Sequence, residues 1–225
     1  MKRKINWLLI LQGWAMLWVV IGHSPMTLDA MTWYERVTYV FAYSFHMPLF
    51  VTISGYLFYL TRVSPVKDDG SLKWSWGAMM KDKLVRLGVP FIVFTVIAMV
   101  MKGLFPDDMQ RPSDISFISF INAILYPNNG PLRELWFVGV LMWMFALLPL
   151  WVLALRKKSY AIIMGVALVV LHFIPVSIDF LCIGRSTSYA VWFYAGMIAC
   201  KWMPEIRGGG AHYTPFGSAC VLPIN

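Results

Sequence analysis

Long apolar runs alternate with short charged connections along the whole chain. A helix that crosses a hydrocarbon core of about 30 Å needs about 20 apolar residues. Because lipid offers no hydrogen-bond partners for the backbone, each run is predicted to be helical, and the alternating pattern of a membrane barrel is missing. The pattern predicts an all-α, polytopic transmembrane helical bundle with about six spans, at roughly 5–23, 39–60, 87–105, 135–155, 159–175 and 187–203.

Composition agrees with lipid as the solvent for much of the chain. Hydrophobic residues make up 59% of the sequence and charged residues 13%, whereas soluble domains average about 45–50% and about 25%. The first apolar run lacks a small-residue cleavage site and contains Gln12. We therefore predict that it is a retained helix and not a cleaved signal peptide.

The distribution of basic residues predicts the orientation in the membrane. With the N-terminus inside, fourteen of the 19 Lys and Arg residues fall on the inner side. This satisfies the positive-inside rule and predicts a cytoplasmic N-terminus. The net charge of +8 is then explained by topology and by attraction to inner-leaflet lipid. It requires no nucleic acid partner.

The chain is predicted to form one membrane domain over residues 1–203, followed by a short irregular tail over 204–225. Two connections show helical spacing of apolar residues. Residues 71–88 predict either a helix in the inner interface or a solvated basic loop, and residues 106–134 contain a short helix that Ser113 or Asp114 would cap. That helix is either a lid over an outward-facing site or an interfacial helix. Three cysteines without metal-ligand spacing indicate no metal site.

The first span carries two polar groups in an apolar helix, Gln12 and His23. Eleven residues separate them, so they share one helical face about 16 Å apart along the axis. A polar group inside a membrane must be paired or pay a large desolvation cost, so both are candidate functional residues. A neutral histidine can act as a general base on a hydroxyl, although a position in the hydrated headgroup region is the alternative for His23.

The second span contains His46, Pro48, Ser54 and Gly55. Pro48 removes a helical hydrogen bond and predicts a kink, while the small Ser54 and Gly55 permit close helix approach. His46 would approach His23 if the first two spans pack antiparallel. Catalysis and a structural hydrogen bond between helices are both open for His46.

Arg86 precedes the third predicted span on its inner side. An arginine at this depth either anchors the helix at the interface or holds a phosphate group from the cytoplasmic side. From the residue alone the anchor is the favoured interpretation.

The motifs LQGWAMLWVVIGHS, FHMPLFVTISGYLF, KDKLVRLGVPF and LWFVGVLM occur in this order. Together they resemble the acyltransferase 3 family, especially its branch similar to fucose 4-O-acetylases. The resemblance runs from about residue 5 to about 155, and more loosely to 203. It implies transfer of an acyl group, usually acetyl, from cytoplasmic acetyl-CoA or another acyl-CoA to a hydroxyl of a sugar or lipid-linked glycan. It also implies O-acetylation of cell-surface polysaccharide and a multi-pass location in the bacterial inner membrane.

The resemblance assigns roles to single positions of this chain. His23 matches the essential histidine, His46 lies in the matching second-helix motif, and Arg86 matches the arginine linked to donor binding. Gln12 stands where the family usually has Arg or Lys, so it brings hydrogen bonding without charge to the donor. No metal is implied. The altered composition after about Pro204 predicts that the family's bundle is incomplete in this chain, which would reduce or abolish activity.

Two other functions remain open at the level of sequence. A transporter or permease component would use Gln12, His23 and His46 to line a polar path, with the Pro48 kink as a gate. An inert scaffold of packed helices is the third possibility.

Overall fold

The computed structural model describes residues 6–22, 32–64, 75–106 and 114–207, and these residues contain helices and connections but no strand. The all-α prediction is confirmed for this part of the chain. The helices are α1 (Asn6–Gly22), α2 (Trp33–Phe58), α3 (Trp76–Lys83), α4 (Val89–Leu104), α5 (Phe117–Leu125), α6 (Trp136–Ala146), α7 (Leu148–Ala154), α8 (Lys158–Phe173) and α9 (Ile183–Arg207).

Only some of these helices are long and apolar enough to cross a membrane. Within the described residues, two helices pass on length and composition, Trp33–Val63 and Trp76–Leu104. A third is added if the bent pair Arg133–Ala146 and Leu148–Ala154 counts as one span. All six predicted spans fall on helices, but a six-span topology and a cytoplasmic N-terminus stay predictions.

The chain divides into two units, and each is described by itself. The first unit consists of Met1–Lys73 and Trp192–Asn225, and the second of Trp74–Val191. In the first unit α1 and α2 run in opposite directions, because Trp14 contacts Phe45 with ring centroids 5.1 Å apart and Trp18 contacts Phe41 at 5.1 Å. Trp14 and Trp18 therefore pack against α2.

Two glycines allow α2 and the first-unit part of α9 to touch backbone to backbone. A Cβ built on Gly55 would lie 1.9 Å from the Phe193 carbonyl oxygen, and one on Gly196 would lie 1.9 Å from the Thr52 carbonyl oxygen. No side chain fits at either place. The predicted role of Gly55 in close helix approach is therefore confirmed.

The second unit begins with one long helix, where the sequence predicted a connection at 71–88 and a separate span at 87–105. α3 leads into a π-helical segment, Leu84–Gly88, and this passes directly into α4. The predicted inner connection is thus helical from Trp76 onward, and the alternative of a solvated loop is wrong for that part. Residues 71–74 of this prediction lie outside the described residues.

The fourth predicted span, 135–155, is bent. Its two helices, α6 and α7, meet at an angle of 55°. Pro149 stands in the first turn of α7, where it lacks the N–H that would continue the α6 ladder. The bend follows from this proline.

A short helix, α5, follows α4 as the sequence predicted, but its cap differs. The side chain of Ser116 accepts a hydrogen bond from the backbone N–H of Ser119 at 3.1 Å. Ser116, and not Ser113 or Asp114, is therefore the N-cap. The helix is followed by a 3₁₀ turn, Pro127–Asn129, where proline and asparagine favour a turn.

The connection from α8 to α9 contains two consecutive left-handed residues, Leu181 (φ 48°) and Cys182 (φ 59°). Non-glycine residues in this region carry about 1–2 kcal/mol of strain each. Hydrogen bonds hold them there: the Trp143 Nε1–H donates to the Leu181 carbonyl at 2.9 Å, and the Cys182 N–H donates to the Asp179 carbonyl at 3.1 Å. The connection is thereby fixed to α6.

Candidate functional site

His46 lies in the interior of the first unit, on α2. Only 1% of its surface is exposed, and its Nδ1–H donates to the carbonyl of Ala42, one turn earlier in the same helix. A neutral ring that donates from Nδ1 carries its lone pair on Nε2. The hydrogen bond therefore fixes the tautomer in which Nε2 is the basic atom. The ring also makes an edge-on contact with Tyr43, at a centroid distance of 5.1 Å.

The end of α1 packs against Ala42 and Tyr43, two residues that contact this ring. A Cβ built on Gly22 would lie 3.3 Å from the Tyr43 ring and 3.4 Å from the Ala42 Cβ. Ala42 is the residue whose carbonyl holds His46, and Gly22 directly precedes His23 in the chain. The antiparallel packing on which the predicted approach of His23 to His46 depended is present. His23 itself lies outside the described residues.

Gln12 sits beside the buried seam of α1. The seam consists of Leu8, Ala15 and Gly22, spaced seven residues apart, with Leu8 3% and Ala15 0% exposed. At 100° per residue, Gln12 lies about 40° from Leu8 around the helix, and Trp18 lies on the other flank of the seam. Gln12 is half-buried. Gln12 therefore lies at the edge of the face that α1 buries.

Arg86 belongs to the second unit and lies on the π-helical segment Leu84–Gly88. Its side chain is 75% exposed, and its Nε donates to Asp82 Oδ1 at 2.7 Å. It is about 15 Å along the helix from Trp76. π-Helical segments are frequent at functional sites because they displace side chains from the regular helical register. Arg86 thus combines an exposed guanidinium with an irregular backbone.

A polar network in the second unit was not predicted from the sequence. Asn128 is 6% exposed, and its Nδ2 donates to Asp179 Oδ1 at 3.0 Å. Arg133 Nε donates to the Asn128 carbonyl at 3.0 Å, and the Arg185 guanidinium lies over the Trp136 ring, 4.6 Å from its centroid. The sequence Pro-Asn-Asn-Gly-Pro at 127–131 favours a turn, but Asp179, the partner of Asn128, is too distant in sequence to be inferred.

Two cavities lie along α5 in this unit. One has a volume of about 570 Å³ and is lined by polar residues, among them Ser119, Asn122 and Tyr126. The other is an apolar groove of about 380 Å³ that Ile124 lines together with residues of α4 and α6. α5 therefore has a polar cavity along one face and an apolar groove along another.

Cys182 has a protonated thiol over the physiological range, because burial raises its pKa to about 11. No group of three or more His, Cys, Asp or Glu side chains suited to a metal ion occurs in the part of the chain that the structure describes. The side chains of Cys182 and Cys200 are both buried.

Comparison with known proteins identifies a family. The family model described as an acyltransferase domain matches residues 5–224, which extends beyond the range over which the motifs suggested a resemblance. No curated protein and no solved structure matches the chain. Because the family model matches nearly the whole sequence, from the Gln12 helix to the tail, this chain belongs to the acyltransferase 3 family.

Proposed function

We propose that this acyltransferase moves an acetyl group from cytoplasmic acetyl-CoA to a hydroxyl of a cell-surface glycan. The observation that carries the proposal is the buried His46, whose Nδ1–H is held by the Ala42 carbonyl. A ring oriented in this way presents Nε2 as a base. The donor is acetyl-CoA or another acyl-CoA, and the acceptor glycan is either free or lipid-linked.

The reaction needs a base for the acceptor hydroxyl. In the proposed step, one of the two histidines, His46 or His23, takes the hydroxyl proton while the oxygen attacks the thioester carbonyl. The carbon–sulfur bond breaks, the ester forms, and coenzyme A leaves as a thiolate that takes the proton back from the histidine. The packing of Gly22 against Ala42 and Tyr43 supports a shared site, because Gly22 precedes His23 and both of its neighbours contact the His46 ring.

The donor requires positive charge for its phosphates. Arg86 is exposed and its partner, Asp82, is a neighbour on the same helix turn. Since exposed ion pairs are worth only about 0–1 kcal/mol, a phosphate can replace this carboxylate at small cost. Gln12 contributes a neutral amide that can donate to a carbonyl or phosphate oxygen, and it supplies no charge.

We place the proposed reaction at the bacterial inner membrane. The basic residues on the side of Arg86 face the cytoplasm of a bacterial inner membrane, which the chain crosses several times with its N-terminus inside. Donor and acceptor then approach from opposite sides.

Substitution of His46 tests the proposal. In cells whose own enzyme of this kind has been deleted, we expect His46→Ala to lower the acetyl-ester content of surface polysaccharide by about 10²-fold or more, as for loss of a general base. His23→Ala should give a loss of the same order. Acetyl esters are measured after alkaline release, and protein amounts are measured in isolated membranes.

His172→Ala is the matched control. His172 also makes a hydrogen bond from Nδ1 to a backbone carbonyl, that of Ser188, at 2.6 Å, but it belongs to the second unit and has no proposed catalytic role. Its substitution should leave the ester content within about twofold. Full acetylation by His46→Ala at normal protein levels would remove His46 from the mechanism.

A further inference from the structure

The polar cavity beside α5 has the lining expected for a neutral, hydroxyl-rich ligand. We propose that it is the binding site for a sugar unit of the acceptor. This inference rests on the proposed function, and it adds a location and a chemical basis for acceptor recognition.

The helix itself creates the polar lining. Ser119, Asn122 and Tyr126 lie at successive spacings of three and four residues, so they share one face of α5. All three line the cavity, whereas Ile124 lines the apolar groove. The cavity is partly open, and the side chains of Asn122 and Tyr126 are exposed to it. The volume of about 570 Å³ falls within the range of about 300–1,000 Å³ usual for small-ligand sites.

The chemistry of the lining selects the class of ligand. Asn122 and Asn129 offer amides, Ser119 and Tyr126 offer hydroxyls, and Asp114 offers a carboxylate. Amides and hydroxyls both donate and accept hydrogen bonds, which suits the hydroxyls of a sugar. Among the residues that the structure describes, no lysine or arginine lines the cavity. Phosphate recognition depends on cationic donors, so the lining disfavours the coenzyme A donor and favours a neutral carbohydrate.

One wall of the cavity is held in place before any ligand binds. The wall comprises Tyr126 and the turn that carries Asn129. Beneath it, Asn128 is bonded to Asp179 and its carbonyl accepts from Arg133, each at 3.0 Å. The Asn129 N–H donates to the Tyr126 carbonyl at 2.9 Å. A preorganised wall lowers the entropy cost of binding.

The decisive experiment separates acceptor binding from chemistry. Purified protein in nanodiscs receives labelled acetyl-CoA and surface polysaccharide from the parent cell, freed of its esters by mild alkali. We expect the double variant Asn122→Ala/Asn129→Ala to raise the KM for polysaccharide at least tenfold. Both kcat and the slow hydrolysis of acetyl-CoA without acceptor should stay within about twofold. Direct binding of the same polysaccharide, measured by biolayer interferometry, should weaken by a similar factor.

Phe117→Ala is the control. Phe117 is 77% exposed and lies on the face of α5 opposite the cavity, so neither KM nor binding should change. An unchanged KM in the double variant overturns the inference. A parallel loss of hydrolysis and transfer also overturns it, because that result indicates a structural role.

Failure of the proposed function gives a different result. If the wild-type protein binds the polysaccharide and the double variant does not, but neither transfers acetyl, the cavity is a carbohydrate site and the proposed reaction is wrong. If the wild-type protein binds no polysaccharide, the inference is wrong whatever reaction the protein catalyses.

Discussion

Cys182 shows how one residue's environment sets its reactivity. Its side chain is 0% exposed. Burial raises the pKa of the thiol from an ordinary 9.0 to about 11, Arg185 opposes the rise and Asp179 adds to it. Because a thiolate, and not a thiol, reacts with maleimides, Cys182 should be inert despite belonging to a reactive residue type.

We expect N-ethylmaleimide to leave Cys182 unlabelled at pH 7 and pH 9 in a variant whose other cysteines, Cys200 and Cys220, are replaced by alanine. Labelling after unfolding in sodium dodecyl sulfate serves as the positive control, and mass spectrometry gives the extent. Rapid labelling of the folded protein at pH 7 would contradict the buried position.

The same pKa shift predicts a pH dependence of stability. A pKa raised in the folded state means that folding favours the neutral thiol. The contribution is present below about pH 9 and is lost as the pH rises toward 11. Cys182→Ala should remove this part of the alkaline destabilisation, as thermal unfolding in detergent between these pH values would record.

At the scale of whole helices, the crossing of α2 and α9 in the first unit depends on glycine. An added methyl group on Gly55 has no room, since its carbon would lie 1.9 Å from the Phe193 carbonyl oxygen. The helices must separate, and overpacking of this kind costs about 1–3 kcal/mol. We expect Gly55→Ala to lower the unfolding temperature in detergent by several degrees.

Gly13→Ala is the matched control, because a Cβ built on Gly13 meets nothing within 4 Å. Alanine also has the higher helix propensity, by about 1 kcal/mol in water. This variant should be neutral or slightly more stable. Equal unfolding temperatures for the two variants would show that the backbone contact is not maintained in the membrane protein.

The helices were predictable from the sequence, whereas their irregularities were not. Apolar runs suffice to predict where backbone hydrogen bonds must close within a helix. The π-helical segment Leu84–Gly88 shifts that ladder by one residue, and such a shift depends on packing that the pattern does not encode. The bend of 55° before α7 is an exception, because Pro149 lies within the predicted span 135–155 and a proline inside a helical run indicates a bend.

The candidate site, too, was only partly predictable from the sequence. His46 was identified because a histidine within an apolar run is costly, and its burial agrees with that reasoning. Its bond to the Ala42 carbonyl depends on a rotamer that no sequence pattern gives. The link from Asn128 to Asp179 joins residues 51 positions apart, and only the folded chain brings them together.

At the scale of the whole molecule, orientation decides whether the proposed chemistry is possible. A cytoplasmic donor must meet the basic residues around Arg86, and a surface glycan must meet α5. The distribution of Lys and Arg predicts this arrangement, with residues 61–86 inside and residues 106–134 outside. Both assignments follow from charge alone, so they can be tested without any assay of activity.

Reporter fusions provide that test. We expect green fluorescent protein fused after residue 70 to fluoresce and alkaline phosphatase at the same position to be inactive, because one folds only in the cytoplasm and the other only outside. After residue 111, phosphatase should be active and the fluorescent protein dark. After residue 157, the fluorescent protein should fluoresce and phosphatase should again be inactive. Each position carries both reporters, so that low expression cannot imitate a location. Active phosphatase after residue 70 would place Arg86 on the outer side, where no acyl-CoA is available. The proposed donor site would then be wrong, but the burial of His46 would not be affected.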